Sequence, residues 1–281
     1  MAKYTEIATV LSQQSLGAGI YDLTLQTKDI AKAAKAGQFV SVYCNDPSKL
    51  LPRPISLGGI DREKGTIRLV YRVTGAGTGT EEFSRLAAGD SVRILGPLGN
   101  GFTVEPGRKA FLIGGGIGVP PMLQLAKDIN SGVVMGLGDG TAPFAGDGEV
   151  PQKPQMQVIM GYRDDNTFLL DEFEKEAPSF VSSDNGAVGT KGTVVDAIKA
   201  NGLKADVIYA CGPGPMLRAL KAYAAENDME CYVSMEERMA CGIGACLACV
   251  CRTKEPTEHT NTNNARICAD GPVFNAKEVE L

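Results

Sequence analysis

Ala110-Phe111-Leu112-Ile113-Gly114-Gly115-Gly116-Ile117-Gly118 is a short unbroken apolar run that ends in glycines, and a helical pattern over 122–129 follows it. Such a run is the mark of a strand buried on both faces of a parallel sheet. The glycines permit positive φ and let a pyrophosphate approach the backbone at a helix N-terminus. Pro120 and Pro121 suit a helix start, where the missing N–H costs nothing. A tight turn in any α/β protein would read the same way, so the second turn matters. Cys211-Gly212-Pro213-Gly214-Pro215-Met216 also ends a strand, at 207–210, and opens a helix, at 216–225. Two such turns at strand C-termini make a dinucleotide crevice the better reading.

Strand and helix alternate around these turns. A strand is expected at 158–161, with helices at 169–176 and 194–199, which predicts a parallel α/β domain over 107–233. Residues 131–155 are rich in Gly and Pro and are expected to form a long surface loop. Before Glu105-Pro106-Gly107 the texture differs. Alternating segments at 21–26, 38–43, 66–73 and 91–95 are divided by Gly, Asp or Pro, with one helical stretch at 81–86. Short strands with close turn signals predict an antiparallel β-barrel over 1–106. Within it, Arg53-Pro54-Ile55-Ser56 reads as a rigid turn bearing a guanidinium suited to phosphate and a hydroxyl suited to a ring edge. Tyr71-Arg72-Val73-Thr74-Gly75-Ala76-Gly77-Thr78 adds an aromatic, a second cation and a flexible polar loop.

From about Ser234 the regular pattern stops, leaving a cysteine-rich segment over 234–281 that reads as too short to fold without a metal. Cys241-(x4)-Cys246-(x2)-Cys249, with a distant Cys268, is the plant-type [2Fe–2S] spacing. A binuclear cluster needs two thiolates for each iron. The small residues Gly242, Gly244, Ala245 and Ala248 let the backbone curl round it and point N–H groups at sulfur. A four-cysteine zinc site is the alternative; it prefers paired knuckles, and only one pair here has that spacing. Cys251 lies two residues past Cys249 and is expected not to be a ligand.

Composition narrows the class. The 281 residues are 43% hydrophobic and 22% charged, the pattern of an ordinary globular chain of about two domains. Twenty-eight basic against 33 acidic residues, with no basic run, argue against nucleic acid and anionic membranes. The N-terminus lacks the apolar region of a secretory signal, so eight cysteines point to metal or redox chemistry in the cytoplasm rather than to disulfides. His259, the single histidine, lies in a Thr/Asn loop and reads as solvated rather than catalytic.

Taken in order, Arg-Pro-x-Ser at 53–56, Tyr-Arg-x-x-Gly-x-Gly-Thr at 71–78, Gly-Pro-Leu-Gly-Asn-Gly-Phe at 96–102, Gly-Gly-Gly-Ile-Gly at 114–118 and Cys-Gly-Pro-x-x-Met at 211–216 resemble the ferredoxin reductase superfamily. The run Glu236-Glu237-Arg238-Met239-Ala240-Cys241-Gly242-Ile243-Gly244-Ala245-Cys246, with Cys249 and Cys268-Ala269-Asp270-Gly271-Pro272-Val273-Phe274, narrows the resemblance to the electron-transfer subunits of dihydroorotate dehydrogenase B. The resemblance implies an FAD-binding barrel, an NAD-binding sheet and a C-terminal [2Fe–2S] segment. It implies that Arg53, Pro54, Ile55 and Ser56 hold FAD, with Val70, Tyr71, Arg72, Gly77 and Thr78 completing that site. Gly114, Gly115, Gly116 and Gly118 would receive NAD together with Cys211, Gly212, Pro213 and Met216, Cys211 lying near the reacting nicotinamide. Cys241, Cys246, Cys249 and Cys268 would hold the cluster, and Ser56 is the expected hydrogen-bond partner of the flavin ring. The superfamily often carries a tyrosine where Ile55 stands, so ring stacking must come from elsewhere.

A nicotinamide gives up electrons as a hydride pair, a cluster takes them singly, and a flavin does both, so the flavin is expected between them. On this resemblance dihydroorotate is oxidised in a partner subunit, an FMN-containing β/α barrel. Such a barrel alone needs about 250 residues. The expected assembly is a heterotetramer of two plus two serving pyrimidine biosynthesis. The alternative is a reductase of the same superfamily that serves ferredoxin or a sulfur-reducing partner.

Overall fold

The computed structural model describes residues 2–132, 155–257 and 261–281. His259 and most of the 131–155 segment lie outside the described residues. Two compact units emerge: Met1–Gly101 with Met235–Val273 and Glu278–Glu280, and Phe102–Ser234 with Phe274–Lys277 and Leu281.

The first unit opens with β1 (Tyr4–Gly17), β2 (Ile20–Gln26), the short helix α1 (Ile30–Ala33), β3 (Phe39–Val42), β4 (Arg53–Asp61), β5 (Thr66–Arg72), α2 (Gly79–Phe83) and β6 (Ser91–Leu98). Six strands close into an antiparallel barrel in the order β1-β2-β5-β4-β3-β6. Period-two alternation fills it: Leu23 and Leu25, Val40 and Val42, Ile55 and Leu57, Ile67, Leu69 and Tyr71, and Val92 and Ile94 form one buried core. Glu6 ties α1 to the barrel by accepting the N–H groups of Lys28, Asp29 and Ile30 at 2.6–2.9 Å. Residues 53–56, expected as a turn, are the start of β4, with Pro54 opposite Ser41 of β3. At the first residues of a strand the missing proline N–H is tolerated.

The second unit alternates β7 (Lys109–Gly115), α3 (Val119–Ser131), β8 (Gln155–Tyr162), α4 (Leu170–Phe173), β9 (Ser179–Ser183), β10 (Thr190–Lys191), α5 (Val194–Ala200), β11 (Val207–Cys211), α6 (Gly214–Glu226) and β12 (Glu230–Ser234). The sheet order is β10-β9-β8-β7-β11-β12, with β15 (Val273–Asn275) on its outer edge. Strands β7 to β12 pair in parallel. The chain runs outward from β7 through β9, then returns to β11 on the other side of β7. That reversal puts a topological switch point between β7 and β11, where α/β sheets open a ligand crevice at the strand C-termini. The helix expected over 169–176 is one turn long, Leu170–Phe173, with Leu169 before it in the left-handed conformation at φ 67°.

The tail is more ordered than its polar sequence suggests. Besides β15 it forms a ladder of β13 (Val250–Arg252) and β14 (Asn264–Arg266). Its core is borrowed: Met235–Val273 belongs to the same compact unit as the barrel. Asn100 N–H donates to Gly271 C=O at 2.6 Å, and Asn100 Nδ2 donates to Asp270 C=O at 3.0 Å.

Candidate redox sites

Two devices gather the four cysteines. The loop from Cys241 to Cys246 curls through Gly242 at φ 69° and Gly244 at φ 87°, so that the Cys241 and Cys246 thiols come within hydrogen-bonding reach of each other. The β13–β14 ladder then closes the 249–268 gap. Val250 pairs with Arg266, and Ile267 N–H donates to Cys249 C=O at 2.8 Å, which sets the Cys249 and Cys268 thiols side by side. The result is two pairs of thiols. Among the described residues, no three His, Cys, Asp or Glu side chains converge on a single metal position. Two pairs are what a binuclear cluster asks of its protein, two sulfurs for each iron, so the donor set fits that group. Cys246 is exposed, whereas Cys249 and Cys268 are 2% and 1% exposed. Cys251 sits inside the ladder opposite Ala265.

Backbone N–H groups are aimed at these sulfurs. Gly244 donates to Cys268 Sγ at 3.1 Å and Ile243 to Cys241 Sγ at 3.5 Å. Burial works to raise the Cys241 thiol, but N–H groups of Ile243, Cys246 and Ala245 and the Cys246 thiol outweigh it and bring it down to about 6. Cys268 is pushed up to about 12, by burial first and then by its neighbour Cys249.

On the barrel, strand parity sorts the expected flavin residues. Ile55 and Tyr71 point inward and belong to the core; Tyr71 Oη donates to Gln13 Oε1 at 2.8 Å, and its ring stacks on Tyr21 at 5.9 Å. Pro54 and Ser56 on β4, and Val70 and Arg72 on β5, lie on the outer face by the same alternation. Ile55 therefore contributes packing from within the barrel. Arg53 stands at the rim against Gly79, where an added Cβ would lie 2.9 Å from Arg53 Nε and 2.6 Å from Cys44 Sγ. Thr78 caps α2 by accepting Glu81 N–H at 3.3 Å, and Glu81 reaches back to accept Gly77 N–H at 2.6 Å. The Gly77 N–H, aided by Arg85, holds the Glu81 carboxyl below the usual carboxylate range.

In the second unit the two glycine turns stand at the ends of neighbouring strands, Cys211 pairing in register with Gly114. Gly118 packs directly on the Cys211 carbonyl, and a Cβ on Gly115 would lie 2.5 Å from Met216 Sδ. Gly116 takes φ 55° in the turn that joins β7 to α3. Cys211 as a whole residue is 1% exposed, so its thiol is enclosed at the end of β11. Three residues were not singled out from sequence. Gly79 is constrained by Cys44 and Arg53, which are distant in the chain; Arg266 and Asp270 are paired only once the ladder and the following turn exist. The capping pattern Thr78-x-x-Glu81 was the available signal for the loop next to Gly79.

Comparison with known proteins agrees with this geometry. Residues 236–280 match the iron-sulfur cluster binding domain of dihydroorotate dehydrogenase B, and residues 8–102 match the oxidoreductase FAD-binding domain. The electron transfer subunit of dihydroorotate dehydrogenase B (NAD(+)) from Enterococcus faecalis is 38% identical over 288 residues, covering 100% of both chains. That from Bacillus caldolyticus is 39% identical over 98% of both chains. Among solved structures, a chain of an NADH-dependent reduced ferredoxin-NADP oxidoreductase superposes with a TM-score of 0.81 at 25% identity, over 98% of this chain and 90% of that one. The ferredoxin reductase of a carbazole 1,9a-dioxygenase shares the fold, with a TM-score of 0.61 at 18% identity, over 82% of this chain and 67% of that one. Fold and sites together define a flavin and iron–sulfur oxidoreductase component built on the ferredoxin reductase architecture. The chain belongs to the family of dihydroorotate dehydrogenase B electron transfer subunits. Among the described residues no helix is long and apolar enough to cross a membrane.

Proposed function

We propose that this chain relays electrons between NAD and the FMN of a catalytic dihydroorotate dehydrogenase subunit, through FAD and one [2Fe–2S] cluster. The observation that carries the reading is the pair of thiol pairs, Cys241/Cys246 and Cys249/Cys268, built into the same compact unit as the flavin-type barrel. When bound, the flavin supplies the exchange between paired and single electrons.

The chain's own residues bind and orient. Arg53 at the barrel rim offers its guanidinium to an anionic diphosphate, and the Gly75–Thr78 loop is held in place by the Gly77 N–H that donates to Glu81. Ser56, Pro54, Val70 and Arg72 present a mixed polar and apolar outer face for a flat ring, with the Ser56 hydroxyl as the positioned donor. The glycines at 114, 115, 116 and 118, with Gly212, Pro213 and Met216, let a dinucleotide lie close to backbone at the switch point, with Cys211 in register beside Gly114. Cys241, Cys246, Cys249 and Cys268 serve as thiolate ligands, and the N–H donors on Cys241 and Cys268 stabilise the negative charge a cluster carries.

On this reading a partner docks beside the exposed Cys246, in a complex of two copies of each subunit. Eight free cysteines suit a reducing cytoplasm. The test is NADH-dependent orotate reduction by the purified chain with and without its catalytic partner. Activity only in the complex is expected; equal activity in both would defeat the division of labour.

A further inference from the structure

Arg266 sits at the end of β14, two residues before Cys268, and makes contacts that no ligand motif requires. Its Nε and Nη2 donate to the two carboxylate oxygens of Asp270 at 2.9 and 2.8 Å, a bidentate charge-assisted pair. Asp270 Oδ2 also accepts the Arg266 backbone N–H at 2.8 Å, and the N–H groups of Ala269, Asp270 and Gly271 all converge on Arg266 C=O. Both side chains are largely buried, at 21% and 16% exposure. The fork is therefore fixed in direction, and its third nitrogen is committed elsewhere: Nη1 donates to Gly244 C=O at 3.3 Å.

Gly244 lies in the middle of the cysteine loop. Its N–H points at Cys268 Sγ. Its carbonyl belongs to the next peptide, whose N–H, that of Ala245, is among the groups that hold the Cys241 thiol down. In a trans peptide the C=O and N–H are antiparallel and rigidly coupled. A guanidinium that holds the Gly244 carbonyl from one side thus turns the Ala245 N–H towards Cys241 on the other. A Cβ at residue 244 would come 2.9 Å from Ala269 Cβ and 3.2 Å from Arg266 Nη1, so the loop can sit this close only with glycine there. The same guanidinium lies within electrostatic reach of the Cys249 and Cys268 sulfurs.

We infer that Arg266, clamped by Asp270, is a positioning residue that sets the reduction potential of the iron–sulfur site, by its charge beside Cys249 and Cys268 and by orienting the Gly244–Ala245 peptide towards Cys241. This rests on the proposed [2Fe–2S] function. A cluster that gains an electron gains negative charge, so a nearby cation and an aimed N–H dipole both favour the reduced state. Removing Arg266 lowers the potential.

The test is an EPR-monitored redox titration of the intact holoprotein as wild type, R266Q, R266K and D270N. A [2Fe–2S] signal in the wild type is the control on the parent reading; its absence there would sink that reading and not this one. In R266Q, poised at the wild-type midpoint, the ratio of reduced to oxidised cluster is expected to fall about tenfold, which is about 59 mV for a one-electron couple. R266K, which keeps the charge and loses the fork, is expected to fall less and to show an altered EPR line shape. D270N removes a negative charge while Arg266 stays, so its potential is expected to stay level or rise. A purely structural clamp would send R266Q and D270N the same way, and that outcome, or an unshifted R266Q, overturns the inference. Should R266Q not retain its cluster, R266K and D270N decide: a wild-type line shape in R266K together with a lowered potential in D270N overturns it.

Discussion

Gly118 packs its α-carbon directly against the Cys211 carbonyl, so the two glycine turns of the nucleotide unit touch backbone to backbone. A methyl group at residue 118 has no room, since the atoms it would meet are main chain at the end of β11 and cannot swing aside. Gly118→Ala is expected to cost about 1–3 kcal/mol, typical of overpacking, and to distort the crevice. Stopped-flow reduction of bound flavin by NADH is expected to slow at least tenfold. FAD and iron contents should hold, because the barrel and the cysteine loop belong to the other unit. Unchanged NADH reduction would separate this turn from nicotinamide binding.

Gly79 offers a sharper test on the barrel side, because one of the atoms crowding it can be deleted. Gly79→Ala should press on both Cys44 Sγ and Arg53 Nε and lower the FAD retained through gel filtration. Adding Cys44→Ala removes the sulfur 2.6 Å from the new Cβ and should recover most of the flavin. Contact residues of this kind couple in double-mutant cycles by about 0.5–3 kcal/mol. Additive losses would show that Gly79 acts through something other than these two neighbours.

The Glu81 carboxylate fixes the loop that carries Gly77 and Thr78, and its affinity for protons is lowered by the Gly77 N–H and by Arg85. A group whose folded pKa is depressed contributes above its unfolded value, about 4.3 for Glu, and loses the contribution as pH falls through the folded value. FAD affinity should therefore be flat from neutral pH down to the ordinary carboxylate range and then drop. In Glu81→Gln the affinity should already be reduced at pH 7, with a flatter acid limb. An identical acid limb in the variant would assign the titration to another group.

Cys251 and Cys246 give opposite expectations despite their closeness in sequence. Cys251→Ser falls inside the β13–β14 ladder and should leave iron and sulfide contents near those of the wild type. Cys246→Ser removes one member of a thiol pair and should abolish most visible cluster absorption. Iron and acid-labile sulfide assays read both. Loss of iron in Cys251→Ser alone would redraw the ligand set.

What could be read from sequence followed how local the cause was. The run 110–118 announces β7 and its turn because burial on both faces and a glycine-only bend are written in adjacent residues. The parallel sheet and the barrel were legible for the same reason. Strand β4 was not: Pro54 looks like a turn former until β3 is beside it. Nor was the order in the tail, whose strands are three residues long and whose turns are held by partners far away, such as Asn100 with Gly271. Within the candidate sites, the cysteines announce themselves by spacing, whereas Gly79 and Arg266 matter through neighbours that only the fold supplies.

The relay itself is tested most directly by an anaerobic titration of the purified chain with NADH, followed by visible absorption and EPR. Flavin bands and a broader iron–sulfur absorption should bleach together, accompanied by a [2Fe–2S] signal that accounts for one unpaired electron per chain at full reduction. A colourless protein with one zinc, or a flavin that bleaches while no iron signal appears, would contradict the account.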